Sequence, residues 1–114
     1  MATKKHPLPT ALSAEQLAVK LAALQERNQE AVKTLAAHFG AERWARIVPQ
    51  CENRGMDAEQ VECLCGNMLA TRQEWHPDNA ALALQAAANG FLCAIGSVPS
   101  AADEAAYQAA LKPL

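Results

Sequence analysis

The chain has 114 residues, of which 51% are hydrophobic, and its 10 basic and 12 acidic side chains give a net charge of −2 at pH 7. This length corresponds to one domain. Basic residues form no run beyond Lys4-Lys5, which argues against a nucleic-acid-binding surface because such a surface needs clustered cations. Much of the hydrophobic fraction is alanine, so the core is lean, and a lean helical core favours burial against a second copy or another protein.

The N-terminal residues indicate a cytoplasmic protein. Lys4 and Lys5 are followed closely by Pro7 and Pro9, without the apolar run of a signal peptide. In the cytoplasm the four cysteines are expected to be free thiols. Residues 1–12 have no helical periodicity and predict a flexible tail, and residues 13–114 predict a single helical domain.

The first predicted helix begins at Ser13, which is spaced for a capping box with Gln16, and runs to about His38, where Gly40 ends it. Residues at alternating spacings of four and three form the seam of a coiled coil: Leu17, Leu21, Leu24, Asn28, Ala31, Leu35 and His38. In the seven-residue repeat of this seam, labelled a to g, Asn28 occupies position a. It is either a polar residue near the edge of an ordinary bundle helix or a residue that fixes the register against a partner helix.

A short second helix is predicted from Ala41 to Val48, followed by a polar loop that contains Gly55 and runs to Met56. Pro49 is expected to end this helix because proline lacks the amide hydrogen that a helix interior requires. One side of the short helix carries three apolar residues: Trp44, Ile47 and Val48.

The third helix is predicted to begin at Asp57, in a capping box with Gln60, and to end near Trp75. Its apolar face contains Val61, Leu64, Cys65, Met68 and Leu69. Pro77 and Asp78 then suit the first turn of a fourth helix, where a missing amide hydrogen costs nothing and a carboxylate is favoured.

The fourth helix lies in the stretch from Asn79 to Ala102, which has no charged residue. A helix without charge on any face is not a solvated surface helix, so we expect it to be buried. It is too short and too interrupted to span a bilayer. Ala86, Gly90 and Ala94 recur every four positions and form a flat face, which we expect to pack in the core or in a homodimer.

A final alanine-rich helix is predicted after Ser100, whose spacing from Asp103 matches a third capping box, and it carries Tyr107 and Leu111. No segment alternates like a strand. The predicted fold is therefore all-α, a small helical bundle of four main helices plus one short helix.

His76-Pro77-Asp78 matches the HPD tripeptide of J-domains, which lies between two helices and stimulates an Hsp70 partner. In J-domains the preceding helix presents a basic face to the partner. Here the helix before the tripeptide carries one arginine, Arg72, against three carboxylates: Glu59, Glu62 and Glu74. A cochaperone-like or other helical protein-interaction module is therefore the alternative function.

No pattern of residues points to catalysis or to a bound cofactor. Cys63 and Cys65 are two positions apart on a predicted helix, so their side chains point about 200° apart and cannot chelate one metal ion. The glycines are isolated and form no phosphate loop. We therefore expect no catalytic residue, no metal and no cofactor, and a protein that is not an enzyme.

The chain as a whole resembles the QslA-like quorum-sensing antiactivators, which are small helical proteins. The resemblance lies in length, in helical layout and in the stretches LSAEQLAVKLAALQERNQEAVKTLAAHFG and GMDAEQVECLCGNMLATRQEWHPDN. It implies a protein that binds the ligand-binding domain of a LuxR-type transcription factor such as LasR, blocks its dimerisation and keeps it off DNA. Direct contact with nucleic acid or a membrane is not expected.

Capture of another protein requires an apolar surface with aromatic or methionine anchors inside a polar rim. We expect that surface at the edge formed by the short helix and the third helix. The candidate partner-binding residues are Trp44, Ile47, Val48, Met68, Leu69, Trp75 and Phe91.

Overall fold

A computed structural model describes residues 12–112, and the predicted all-α class is confirmed over this range, which contains no strand. The helices are α1 (Ala14–Phe39), α2 (Ala41–Asn53), α3 (Ala58–Trp75), α4 (Ala80–Ala94) and α5 (Ala101–Leu111). Except for Leu12, the predicted N-terminal tail lies outside the described residues, as do Pro113 and Leu114. None of the helices in the described range is long and apolar enough to cross a membrane.

Three helices begin with a capping box, in which the N-cap side chain accepts from the N3 amide and the N3 side chain accepts from the N-cap amide. All three predicted pairs are confirmed: Ser13 with Gln16, Asp57 with Gln60, and Ser100 with Asp103. Each box satisfies amide groups that the first turn of a helix leaves without intrahelical partners. The starts of α1, α3 and α5 are thus determined locally.

The predicted end of the second helix at Pro49 is wrong, because α2 continues through Pro49 to Asn53. The proline removes only the hydrogen bond to the carbonyl of Ala45, and both residues lie on the exposed side of α2, where water can satisfy that carbonyl. On the other side Ile47 and Cys51 are 2% and 1% exposed. Burial of these side chains maintains the helix beyond the proline, and with 13 residues α2 is longer than the 11-residue α5.

The predicted role of Pro77 in the first turn of a helix is also wrong. Pro77 and Asp78 lie in a turn closed by a hydrogen bond from the Asn79 amide to the His76 carbonyl at 3.2 Å. The Asn79 side chain is the N-cap of α4 and accepts from the Leu82 amide at 3.0 Å. Asparagine is among the strongest N-caps, and proline fits the second position of a turn, so both residues adopt their preferred roles.

The helix α4 is the buried helix that its lack of charge predicts. Ala83, Ala87, Ala88 and Phe91 are fully buried, and α4 packs against α1, α3 and α5. A Cβ on Gly90 would lie 2.9 Å from Met68 Sδ. Of the predicted flat face, Ala86 is buried and Gly90 packs against α3 inside the chain, whereas Ala94 is exposed.

The helices α1 and α3 lie side by side and run in the same direction. Arg27 Nη2 donates to Asn67 Oδ1 at 2.9 Å, and one surface depression is lined by Arg27 and Thr34 of α1 together with Gly66 and Gln73 of α3. Asn28 is only 7% exposed, and its Oδ1 accepts from Arg27 Nε at 3.0 Å and Arg27 Nη2 at 2.6 Å. A Cβ on Gly66 would collide with Oδ1 of Asn28. Asn28 is thus buried at the closest approach of α1 and α3.

A bidentate ion pair links α2 to α5. Arg43 Nη1 and Nη2 donate to Asp103 Oδ1 and Oδ2 at 2.8 Å and 2.5 Å. Asp103 is 6% exposed and also accepts from the amide and hydroxyl of Ser100. The hydrogen bonds from Arg43, with those from Ser100, lower the pKa of Asp103 from 3.8 to about 2, against the opposing effect of burial.

The substitution Gly66→Ala should destabilise the fold. Alanine favours a helix interior by about 1 kcal/mol, but the new methyl group collides with the Asn28 amide, which can turn away only by giving up its bonds to Arg27. We expect the free energy of unfolding, measured by urea denaturation, to fall by about 1–2 kcal/mol. In an Asn28→Ala background the same substitution should be neutral or stabilising; a stabilising effect in the wild-type background would contradict the observed helix packing.

The ion pair predicts an acid-dependent loss of stability. Because the folded pKa of Asp103 is about 2 and its ordinary value is 3.8, its contribution is complete above about pH 5 and is lost as the pH falls from about 4 to 2. Asp103→Asn should lower the free energy of unfolding by about 2 kcal/mol at pH 7, and the difference from wild type should shrink towards pH 2. Urea denaturation at several pH values measures both. The exposed neighbour Glu104 supplies the control Glu104→Gln, which should show no such convergence.

Candidate protein-binding groove

An apolar groove of about 270 Å³ opens between α2 and the start of α3. It lies at the edge of the second and third helices where the sequence predicts a binding surface. Its lining comes from α1, α2, the following turn and α3: Val32, Trp44, Val48, Cys51, Glu52, Met56, Asp57, Ala58, Val61 and Glu62.

A hydrogen-bonded turn connects the two helices that border the groove. Gly55 has a φ of 75°, a left-handed value that glycine adopts without steric cost. Its amide donates to the Glu52 carbonyl at 2.9 Å, and the Met56 amide donates to the Cys51 carbonyl at 3.1 Å. Asp57 then caps α3. These bonds link the end of α2 to the start of α3, with Met56 between them.

Trp44 is a rigid part of the groove wall. Its ring stacks on Phe39, with centroids 6.1 Å apart, and on Phe91, with centroids 5.9 Å apart. Phe91 is fully buried, so this aromatic cluster connects the groove directly to the core. The side chain of Trp44 is half-buried and the neighbouring Val48 is 38% exposed.

The rim of the groove is acidic. Glu52 and Asp57 are exposed, Glu62 is half-buried, and the lining includes no basic residue. Within residues 12–112 neither Glu52 nor Glu62 forms an ion pair. Arg54, two residues beyond Glu52, has its guanidinium against Gly96 at the end of α4. The carboxylates of Glu52 and Glu62 therefore have no ion-pair partner among the described residues.

The thiols near the groove are neutral. Burial raises the pKa of Cys51, which lines the groove, and raises the pKa of Cys65 to about 12. A thiol with a raised pKa is a poor nucleophile, because the thiolate is the reactive form. Cys63 is exposed and Cys65 is buried, so the prediction that these two side chains point apart is confirmed. Among the described residues no three His, Cys, Asp or Glu side chains are grouped as a metal site.

The seven predicted partner-binding residues lie in different places. Trp44 and Val48 line the groove, while Ile47 and Phe91, with exposures of 2% and 0%, are core residues and offer no surface to a partner. They share the apolar character of their neighbours, and only the packing distinguishes core from surface.

The other three predicted residues belong to the rest of α3. Met68 is half-buried and lies against Gly90 of α4. Leu69 is half-buried on the side of α3 that faces α1. Trp75 is 61% exposed at the C-terminal end of α3, with the Arg72 guanidinium 4.4 Å from its ring centroid. None of the three lines the groove.

Five apolar residues of the groove are absent from the predicted contact residues: Val32, Cys51, Met56, Ala58 and Val61. Cys51 falls in a predicted loop because Pro49 is expected to end α2. Its spacing of four from Ile47 was the available signal, since it continues the apolar side of the helix.

Unpaired leucines on α1 form a second exposed apolar surface. Leu17, Leu21 and Leu24 are 47%, 55% and 43% exposed, although they belong to the same heptad seam as the buried Ala31 and Leu35. Leu21 and Leu24 lie beside Glu59 and Gln60 in the first turn of α3. Residues of α1 before Leu21 therefore extend beyond the start of α3, and within residues 12–112 only the second half of the seam is covered.

Comparisons of the chain with protein-family models, with curated proteins and with solved structures give no match in any of the three.

Proposed function

We propose that this chain is a regulatory protein that binds the ligand-binding domain of a LuxR-type quorum-sensing transcription factor, such as LasR, and blocks its dimerisation and DNA binding. The observation that carries the proposal is the open apolar groove between α2 and α3. It combines a rigid aromatic wall, exposed aliphatic groups and a polar rim, which are the parts of an interface that captures another protein. The resemblance to QslA-like antiactivators supplies the class of partner.

Inhibition of this kind requires affinity and no chemistry. A LuxR-type receptor binds DNA as a dimer, so a protein that covers the dimerisation surface removes receptor monomers by mass action. A dissociation constant near 1 μM corresponds to about −8 kcal/mol. An interface of the usual size provides this when a few well-packed side chains lie at its centre. The proposed protein is accordingly not an enzyme and acts in the cytoplasm, where the receptor binds DNA.

We further propose that the protein is a homodimer joined through α1. The uncovered half of the heptad seam supplies Leu17, Leu21 and Leu24, and a two-fold dimer would pair these leucines with the same leucines of a second copy. Lys20 borders the seam at a g position, and Glu59 lies beside the seam on α3. Opposite charges at this edge favour association of two copies.

The turn at His76 to Asn79 supports the alternative function. His76 is half-buried, Pro77 and Asp78 are exposed, and the turn connects two helices, as the tripeptide does in J-domains. The charge of α3 opposes this alternative, since Glu59, Glu62 and Glu74 replace the basic face of that family. The antiactivator function is therefore favoured.

The receptor proposal is tested by size-exclusion chromatography with light scattering. The protein is mixed with the ligand-loaded ligand-binding domain of LasR at concentrations well above 1 μM. We expect a mixed complex that contains monomeric receptor. Separate elution of the protein and the dimeric receptor domain would contradict the proposal.

A pair of variants tests whether the groove forms this complex. Val48→Asp places a charge in the groove at a side chain that is 38% exposed, so binding should weaken by at least about tenfold while folding is maintained. The control is Val98→Asp, at an 82% exposed valine between α4 and α5, and it should bind normally. Equal weakening by both variants, measured by titration calorimetry, would show that the groove is not the contact surface.

The dimer is tested on α1. Leu21→Lys should convert the dimer to a monomer in light scattering, because it places a charge in the centre of the proposed seam, and the 55% exposure of Leu21 within one chain lets each monomer stay folded. Val19, which is 69% exposed and lies on the opposite face of α1, supplies the matched control Val19→Lys. A monomeric wild-type protein, or dissociation by both substitutions, would contradict a dimer through this seam.

A further inference from the structure

Resting on the proposed function, we infer that the groove between α2 and α3 binds an amphipathic helix of the partner, with one or two apolar side chains in the groove and basic side chains against Glu52 and Glu62. The size of the groove, the backbone around it and the charge of its rim together specify the chemistry of the segment that it recognises.

The size of the groove suits one or two apolar side chains. Pockets that enclose small ligands measure about 300–1,000 Å³, and this groove lies at the lower edge of that range at about 270 Å³. Its lining includes the apolar side chains of Val32, Cys51 and Val61, of which Cys51 is buried and the two valines are half-buried. An apolar side chain placed there would contact Trp44 and Val48 on one wall and displace water from all of them.

The bound segment must satisfy its own backbone. Most of the groove wall is helical, with amides and carbonyls bonded within each helix, and in the turn the amides of Met56 and Asp57 donate to the Cys51 carbonyl and the Gln60 side chain. Residues 12–112 contain no strand edge that could pair with an extended peptide. A segment that enters therefore gains mainly side-chain contacts. A helix meets this condition because its backbone bonds are internal, and amphipathic helices bind in apolar grooves in this way.

The rim selects a basic segment. Glu52 and Glu62 face the groove without an ion pair, while the carboxylate of Asp57 is already bonded to the Gln60 amide at 2.8 Å. Lysine or arginine beside the apolar anchor would pair with the first two carboxylates. An acidic segment would face uncompensated charge of its own sign, so the rim discriminates between the two by attraction and by repulsion.

The test uses the full-length protein with Trp75→Phe, which leaves Trp44 as its single tryptophan. Two synthetic helical peptides of equal length carry the same leucine stripe, one with lysine and one with glutamate on the polar face. We expect the lysine peptide to bind with a change in Trp44 fluorescence, and the glutamate peptide to bind at least about tenfold more weakly at low salt. Equal binding of both peptides, no binding of either, or binding without a change in Trp44 fluorescence would overturn the inference.

Charge-matched variants separate the rim from the overall charge. The double variant Glu52→Gln with Glu62→Gln should bind the lysine peptide with about fivefold lower affinity than the wild-type groove. The control, Glu26→Gln with Glu74→Gln, removes the same charge at exposed sites outside the groove and should leave binding unchanged. Equal losses in the two double variants would overturn the inference. So would conversion of a dimer to a monomer by Val48→Asp, because a second copy would then occupy the groove.

Failure of the inference and failure of the proposed function give different results. If the groove binds the lysine peptide as described but the protein forms no complex with the receptor domain, the inference stands and the partner is a different protein with a basic amphipathic helix. If the receptor complex forms and the double variant at Glu52 and Glu62 binds the receptor normally, the proposed function stands and the inference is overturned.

Discussion

The burial of α4 is the constraint on which the rest of the structure depends. Ala83, Ala87 and Ala88 are fully buried and have almost no side-chain volume, so the helices around α4 must approach its backbone closely to leave no void. At Gly90 this brings Met68 of α3 within contact distance of the α4 backbone. Phe91 is the one large aromatic side chain on α4, and it is fully buried against Phe39 and Trp44. The small residues of α4 thus determine helix spacing, and Phe91 determines where the aromatic cluster lies.

Because the side chains of the central helix α4 are small, apolar groups of the outer helices are left uncovered. The second helix packs mainly on α1, so its side chains at Trp44 and Val48 border an open groove, while α1 extends beyond α3 and exposes three leucines. Full burial of a leucine or valine contributes about 1.5–3 kcal/mol, and each of these partly exposed side chains forgoes a part of that stabilisation. Both surfaces are therefore places where association with another chain gains free energy, and this is the physical basis for proposing a protein whose function is binding.

The two surfaces differ in the partner that each favours. The α1 surface continues a heptad seam, and a heptad seam is complementary to another helix of the same period, so a second copy fits it well. The groove has no such periodic pattern; it has a fixed aromatic wall, a capped turn and unpaired carboxylates on its rim. These features favour a partner of complementary shape and charge, and that partner is more readily a different protein than a second copy. The proposed self-association and the proposed capture of a partner would therefore use separate parts of one small chain.

Local chemistry in the sequence determined the helix starts at Ser13, Asp57 and Ser100, because a capping box needs only residues three apart. It also determined that the uncharged helix is buried. The sequence did not determine the end of α2: the cost of Pro49 was a local signal, and burial of Cys51 against distant helices outweighed it. Likewise Trp44 and Phe91 look alike as apolar residues, yet one lines a groove and the other lies in the core. The tertiary structure decided these points, because exposure depends on which helices cover a residue, and that depends on contacts far apart in the chain.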